Sequence, residues 1–275
     1  MVTLGVILIH NGDASRIESA SEAISQFTEA VGGKVDVISG EESEQHPIVD
    51  APTTQKLLAW YLSVTGDHRW GDYLSPPSSL AERWRRFRLS AKYSRKQLKR
   101  MLRRGKRVSV ARAVSAKNIR AWKRMLTENW DFLLVLEDDV VLADNAHNEI
   151  TAVVDALSST APSELLFASV AKALSLEDIG GSSLVSGQTE ALTWFSKPVS
   201  NTAAAYILSR GLAEAFLKEV THHRVSAANP ADWILNHLFM RFYRRGVVIR
   251  SFHTKQGIFV NRSILGELPS HTQVS

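Results

Sequence analysis

The chain has 275 residues, 44% of them hydrophobic and none of them cysteine, which suits one large α/β domain or two modest ones. The lack of cysteine excludes a disulfide framework, a thiolate metal site and a cysteine nucleophile, and points to a reducing compartment. The formal charge of +5 is unevenly spread: 13 Lys or Arg and no acid lie between Arg83 and Arg107, leaving 20 bases against 28 acids elsewhere. An acidic body with one basic insert confines any anion-seeking role to that segment.

Leu4 to Ile9 reads as a first strand. Its apolar run is too short for a signal peptide or a membrane span, and no other run reaches about 18 apolar residues. The expected location is therefore the cytoplasm, at most peripheral on the inner face of a membrane. A helix follows with Ile17, Ala20, Ile24, Phe27 and Val31 on one face, closed by Gly32 and Gly33. Val35 to Ile38 reads as a second strand, parallel to the first through a right-handed crossover.

Residues 40–80 show an acidic turn, a short helix around Gln55 to Leu62 and a loop at Pro76 and Pro77. Leu80 to Leu102 sets Trp84, Phe87, Ala91, Leu98 and Met101 among arginines at roughly helical spacing, so 76–108 reads as a basic amphipathic helical insertion. Ala111, Ser115, Ile119, Trp122 and Leu126 mark a helix leading into a strand at Phe132 to Leu136. Further along come a helix with Ile150, Val153 and Leu157, a strand from Leu165 to Val170, and a polar loop containing Gly180, Gly181 and Gly187. A strand at Ala203 to Leu208, a helix with Leu212, Phe216 and Val220, a helix from Ala231 to Tyr243 and a strand from Val247 to Phe252 complete the pattern. The fold class is α/β, with a mostly parallel Rossmann-type sheet flanked by helices.

The Phe132 strand stops at three successive carboxylates, Glu137, Asp138 and Asp139. In open α/β sheets the ligand crevice lies at the carboxyl ends of the strands, and clustered carboxylates repel unless a cation or donors offset them. A divalent metal is the simplest partner. On an extended strand Glu137 and Asp139 share one side and Asp138 takes the other. The bland alternative is a strand that ends in solvent before a helix-starting Asp.

With Ala121-Trp122 on the preceding helix and Val135-Leu136-Glu137-Asp138-Asp139-Val140 after it, the chain resembles glycosyltransferase family 25, the lipooligosaccharide, capsule and collagen sugar transferases. A second block agrees: Ala203-Ala204-Ala205-Tyr206-Ile207-Leu208-Ser209-Arg210, then Ala231-Asp232-Trp233. The resemblance covers roughly 1–40 and 108–240. It departs where the family has a glycine-cysteine element and a serine-histidine pair, here Ala113-Val114 and Lys117-Asn118.

The resemblance implies a single GT-A-like domain over 1–275 that transfers a hexose such as galactose from a UDP-sugar to a glycan or lipid-linked glycan acceptor, in lipopolysaccharide or capsule-type synthesis. It also implies a divalent Mn²⁺ or Mg²⁺ cofactor, which neutralises charge building on the departing diphosphate. Asp139 is the first choice of metal ligand, Asp138 a second. His253 follows a strand where GT-A enzymes supply a metal histidine, although a solvated loop histidine is the simpler reading. Asn11 and Arg16 beyond strand one, Lys117 and Asn118 on the helix, and Glu137 and Asp138 form the expected donor-binding set. Inverting transfer needs a base, and Asp232 is the candidate; it also suits a helix cap.

For 83–107, two readings stand side by side: docking on an anionic membrane, and a solvated insertion. No nucleic-acid motif surrounds these bases, and no nucleic acid is expected as a partner. The rival functions are a metal-dependent phosphoester hydrolase and a non-catalytic membrane- or nucleic-acid-binding module.

Overall fold

The computed structural model describes residues 1–42, 72–88, 105–172, 181–200, 202–222 and 231–263, and the side chains of 105–113 and 231–233 are not among the described ones. The expected helix at Gln55 to Leu62, most of the basic insertion beyond Arg88, and Gly180 lie outside those residues.

The described strands are β1 (Val2–Ile9), β2 (Val35–Glu42), β3 (Phe132–Glu137), β4 (Val140–Leu142), β5 (Leu166–Ser169), β6 (Ala171–Lys172), β7 (Val185–Gln188), β8 (Leu192–Phe195), β9 (Ala205–Ser209), β10 (Arg250–Thr254) and β11 (Phe259–Asn261). The helices are α1 (Ala14–Val31), α2 (Gly105–Thr127), α3 (His147–Ser158), α4 (Arg210–His222) and α5 (Ala231–Arg244), with shorter helical stretches over 72–74 and 80–88 and a 3-10 turn at Ser182–Leu184.

Eight strands form one sheet in the order β2-β1-β3-β9-β5-β10-β8-β7. β1 runs parallel to both β2 and β3, and β5 parallel to β10, while β9 and β8 run against their neighbours. The expected α/β class with a mostly parallel, helix-flanked sheet holds. β2 extends four residues beyond the expected end at Ile38, because its later residues pair with Val6 to Ile9.

Alternate residues of each central strand serve opposite layers, as the two-residue period requires. Leu4, Val6, Leu8, Phe132, Leu134 and Leu136 pack with Ala20, Ile24 and Phe27 of α1 and Val153 and Leu157 of α3. Ile7, Ile9, Leu133 and Val135 pack with Trp122 of α2, Phe216 of α4 and Leu238 and Phe239 of α5. Burying each such side chain contributes roughly 1.5–3 kcal/mol before entropy is counted. Gly5 is required by this packing, since a Cβ there would sit 1.8 Å from the Trp130 ring. α1 starts where Asp13 accepts from the Ser15 and Arg16 amides and ends at Gly32, whose φ of +64° favours glycine.

One expectation is corrected and one sheet was not foreseen. Gly187 lies in edge strand β7, not in a loop; alternately exposed residues paired through a bulge to Leu192–Phe195 make a weak apolar signal. A separate small sheet, β4-β11-β6, has strands of only two or three residues, too short to show any period. Among the described residues, no helix is long and apolar enough to cross a membrane.

Candidate functional site

The chain passes from β1 through α1 to β2 on one side, and later places β3 on the other side of β1. The loops beyond the carboxyl ends of β1 and β3 therefore flank a topological switch point, where open α/β sheets form their ligand crevice. Those loops are 10–13, from the first strand, and Asp138-Asp139, from the third.

Asp138 joins the two loops. Its Oδ2 accepts from the Asn11 amide at 3.2 Å, and its Oδ1 lies 3.4 Å from Nη1 of Arg16. Both Asp138 and Arg16 are buried, so the pair is little screened. Arg16 is brought there by the first turn of α1, whose capping Asp13 is held below the usual carboxylate range chiefly by the Ser15 hydroxyl and the Arg16 amide.

Lys117 closes the loop from the opposite layer. Its Nζ donates to the His10 carbonyl and, at 2.8 Å, to Asn11 Oδ1. Burial lowers the Lys117 pKa, and the Asp138 charge opposes that shift. Of the six residues in the expected donor-binding set, the structure links Asn11, Arg16, Lys117 and Asp138 through these contacts. His10, not anticipated, sits among them: its Nδ1 accepts from the Gly12 amide at 3.2 Å, which places the ring proton on Nε2, 3.5 Å from the exposed Glu41 carboxylate.

Asn118 is engaged differently. Its Oδ1 accepts from the Tyr206 hydroxyl at 2.5 Å, its Nδ2 donates to the Val114 carbonyl at 2.9 Å, and Tyr206 accepts from Trp122 Nε1 at 2.9 Å. This buried relay ties α2 to β9. Burial drives the Tyr206 pKa well up, the Trp122 bond opposes that, and the Glu137 charge adds to it. Tyr206 therefore stays a neutral donor. The alanine-tryptophan and tyrosine elements of the two sequence blocks thus meet in space.

The acidic triplet does not continue as an extended strand. β3 ends at Glu137, and 138–139 form a turn into β4. Glu137 and Asp139 consequently do not share one environment: Glu137 acts on Tyr206, while Asp139 Oδ1 accepts from Asn261 Nδ2 at 3.1 Å and its carbonyl from the Arg262 amide at 2.9 Å. Asn261 belongs to β11, so the small sheet fixes the direction of Asp139. It was not anticipated as a site residue, and it is buried.

His253 is not a solvated loop residue. It lies buried on β10, its ring tilted against the Phe195 ring at 4.4 Å, with Nε2 donating to the Val199 carbonyl at 2.7 Å. Burial lowers its pKa to about 4 against the opposing effect of that bond. Among the described residues no three His, Asp or Glu side chains group closely enough to hold a metal, so Asp138, Asp139 and His253 are not assembled as one ligand set. Position 232 is the second residue of α5, and its side chain lies outside the described ones. Farther along α5, Asn236 accepts from the Ser200 amide at 2.9 Å and donates to the Ser200 carbonyl at 3.1 Å.

A metal fits here in a limited way. Asp138 is committed to Arg16 and Asn11, and His253 to Val199 through Nε2, whereas Asp139 receives a described donor on one oxygen only. Mg²⁺ and Mn²⁺ at phosphate sites need just one or two protein carboxylates, the remainder being water and phosphate oxygens. Asp139 meets that requirement.

No family model and no curated protein matches this chain. A solved glycosyltransferase involved in the glycosylation of the major capsid of PBCV-1 is similar over 94% of this chain and 91% of that one, at 9% identity and a TM-score of 0.39. At that level the likeness bears on neither substrate nor mechanism.

Proposed function

We propose that this protein is a glycosyltransferase that takes a hexose from a UDP-sugar and passes it to a glycan acceptor. The observation that carries the reading is the paired acidic turn at the β1/β3 switch point, where Asp138 is neutralised by Arg16 and the Asn11 amide while Asp139 keeps an oxygen without a described donor. Such a pair separates two tasks. Asp138 shapes the loop after β1, and Asp139 remains available to a cation that accompanies a diphosphate. When bound, a divalent ion offsets the negative charge that develops on the departing nucleotide.

The chain's own groups supply the rest. Asn11, Arg16 and Lys117 set the wall of the crevice that receives the nucleotide, with Lys117 acting through the loop it clamps. Glu137, at the tip of β3, is the donor-sugar contact. Asn118 serves this wall indirectly, by holding α2 on Tyr206. Asp232, entering α5, is the group that takes the acceptor hydroxyl proton as that oxygen attacks the anomeric carbon, giving inversion.

The test is a panel of nucleotide sugars scored by thermal shift and by transfer to oligosaccharide acceptors, with Mn²⁺, Mg²⁺ or chelator. One UDP-sugar is expected to stabilise the protein only with metal; at a hundredfold excess over Kd the gain is about 2.7 kcal/mol. Asp139→Ala is expected to remove that response while the protein stays folded. Equal responses from the wild type and Asp139→Ala would refute the assignment.

A further inference from the structure

The helical stretch over 80–88 packs the wrong way round for a core helix. Of residues 81–88, only Glu82 and Arg86 are partly covered, at 23% and 22% side-chain exposure, and the apolar residues face outward: Leu80 is 75% exposed, Trp84 63% and Phe87 39%. At 3.6 residues per turn, Leu80, Trp84 and Phe87 fall within about 60° of one another, a single apolar stripe. Arg83 and Arg88 lie on its two flanks by the same rotation. Trp84 and Phe87 meet edge to face at 5.9 Å, which holds the stripe as one surface.

The polar edge explains how the helix is held in this orientation. Ser79 opens it by accepting the Glu82 amide at 3.1 Å, and Glu82 takes the Ser78 amide and hydroxyl at 2.8 and 2.7 Å. Arg86 bonds Glu82 and, at 2.5 Å, the Ser75 carbonyl, with Asp72 3.5 Å away. The segment before it is tied to the body, because Tyr73 donates to the Pro198 carbonyl and Lys197 to the Tyr73 carbonyl, each at 2.7 Å. Pro198 adjoins Val199, the partner of His253, so the anchor lies on the loop beside β10. The contacts described for Glu82 and Arg86 run along the covered edge, Arg83 lies 3.9 Å from Asp72 while staying 57% exposed, and Leu80 and Trp84 remain mostly in solvent.

We propose that this helix is a membrane-surface anchor that lies in the interface of an anionic bilayer, with Leu80, Trp84 and Phe87 in the acyl boundary and Arg83 and Arg88 on the lipid phosphates. An apolar stripe flanked by arginines is the pattern of interfacial helices, and aromatic residues favour that depth. Charge complementarity selects the partner: the sequence from Arg83 to Arg107 holds 13 bases and no acid, matched to a negative leaflet. Nucleic acid would use the same charges, but Leu80, the most exposed member, offers a base neither stacking nor hydrogen bonds.

The experiment is sedimentation of the full chain with phosphatidylcholine vesicles, with and without about one-third phosphatidylglycerol, at about 0.1 M and about 0.5 M salt. Binding to the anionic vesicles only is expected, with a residue surviving the higher salt because the apolar contact is not screened. Leu80→Ser with Trp84→Ser is expected to lower the high-salt partition about tenfold or more, with a nearly unchanged melting curve because both side chains are mostly in solvent, and adding Phe87→Ser is expected to lower it further. Arg83→Glu with Arg88→Glu is expected to weaken the low-salt part. The proposal is overturned if anionic vesicles do not sediment the protein, or if the triple-serine protein binds as the wild type does. It is equally overturned if an oligonucleotide displaces the vesicles and binds more tightly, or if the serines abolish a dimer instead of lipid binding.

Discussion

Glu219 on α4 and Asp138 beyond β3 are both buried acids facing arginines, and the contrast between them separates an ion pair on a helix seam from one at the proposed site. Glu219 accepts from Arg241 on α5 and from Arg245 just past it, the latter at 2.7 Å. Burial pushes the Glu219 pKa up, but the Arg245 and Arg241 bonds outweigh it and hold the group low. The cluster sits on a seam between two helices and is saturated. Asp138 sits at a switch point between parallel strands, binds one arginine and one backbone amide, and is followed by Asp139 with coordinating capacity to spare. Buried charge alone therefore marks nothing; the proposed site is distinguished by its position at the strand ends and by an Asp139 oxygen without a described donor.

Asp138→Ala should give the largest effect. Arg16 would lose the buried carboxylate it faces, while the exposed Asp13 lies 3.9 Å away. Breaking a buried pair in this way costs about 3–5 kcal/mol. The expected result in urea titration is a midpoint well below that of the wild type, with nucleotide-dependent stabilisation lost as well. If Asp138→Ala proves no more damaging than removal of the Glu219 charge, the distinction collapses.

His253 adds a buried group that is kept neutral. Its pKa is about 4 in the folded protein, against an ordinary value near 6.5. Between those values the unfolded chain binds the extra proton, so stability is complete above about pH 6.5 and falls as the pH drops towards 4, by about 3 kcal/mol. His253→Gln keeps a donor for Val199 and removes the titration. Stability curves from pH 7 to 4 should be flatter for the variant, and parallel curves would show that the histidine is not buried neutral.

Much of this was legible in the sequence where the pattern was local. α1 declares itself through period and β3 through a continuous apolar run, and Asn11, Arg16, Glu137 and Asp138 stand out because they follow strand ends, whereas Lys117 and Asn118 entered the expected set only through the family resemblance. Contacts that depend on a distant partner left no such trace. The reversal of β9 between β3 and β5 is set by pairing, not by composition. The Asn261 bond to Asp139 spans 122 residues and comes from a three-residue strand. His253 looked solvated because its cover, Phe195 and Val199, comes from β8 and the segment after it, a strand the sequence reading missed.

The relay through Tyr206 tests that non-local part. Tyr206→Phe deletes the hydroxyl that donates to Asn118 and accepts from Trp122, leaving both groups buried and short of a partner. A cost of about 2 kcal/mol is expected by thermal or chemical denaturation. The nucleotide response should weaken less than in Asp138→Ala, since Asn118 acts on the position of α2 and not on the loop itself.

Glu219→Gln should have the smallest effect, and its pH dependence is its signature. Arg241 and Arg245 are 23% and 49% exposed, so they can turn to water when the charge is removed, and the glutamine carbonyl still accepts one bond. About 1 kcal/mol is expected at pH 7, near the upper end for partly exposed pairs. The folded pKa lies below the unfolded value near 4.3, so this contribution is fully present above that value and disappears as pH falls through the lower, folded one. The wild type and Glu219→Gln should therefore differ at neutral pH and converge in acid, while their nucleotide responses stay equal. A variant that lost nucleotide binding would place Glu219 within the same functional unit as Asp138, and saturation by arginines would no longer identify a purely structural carboxylate.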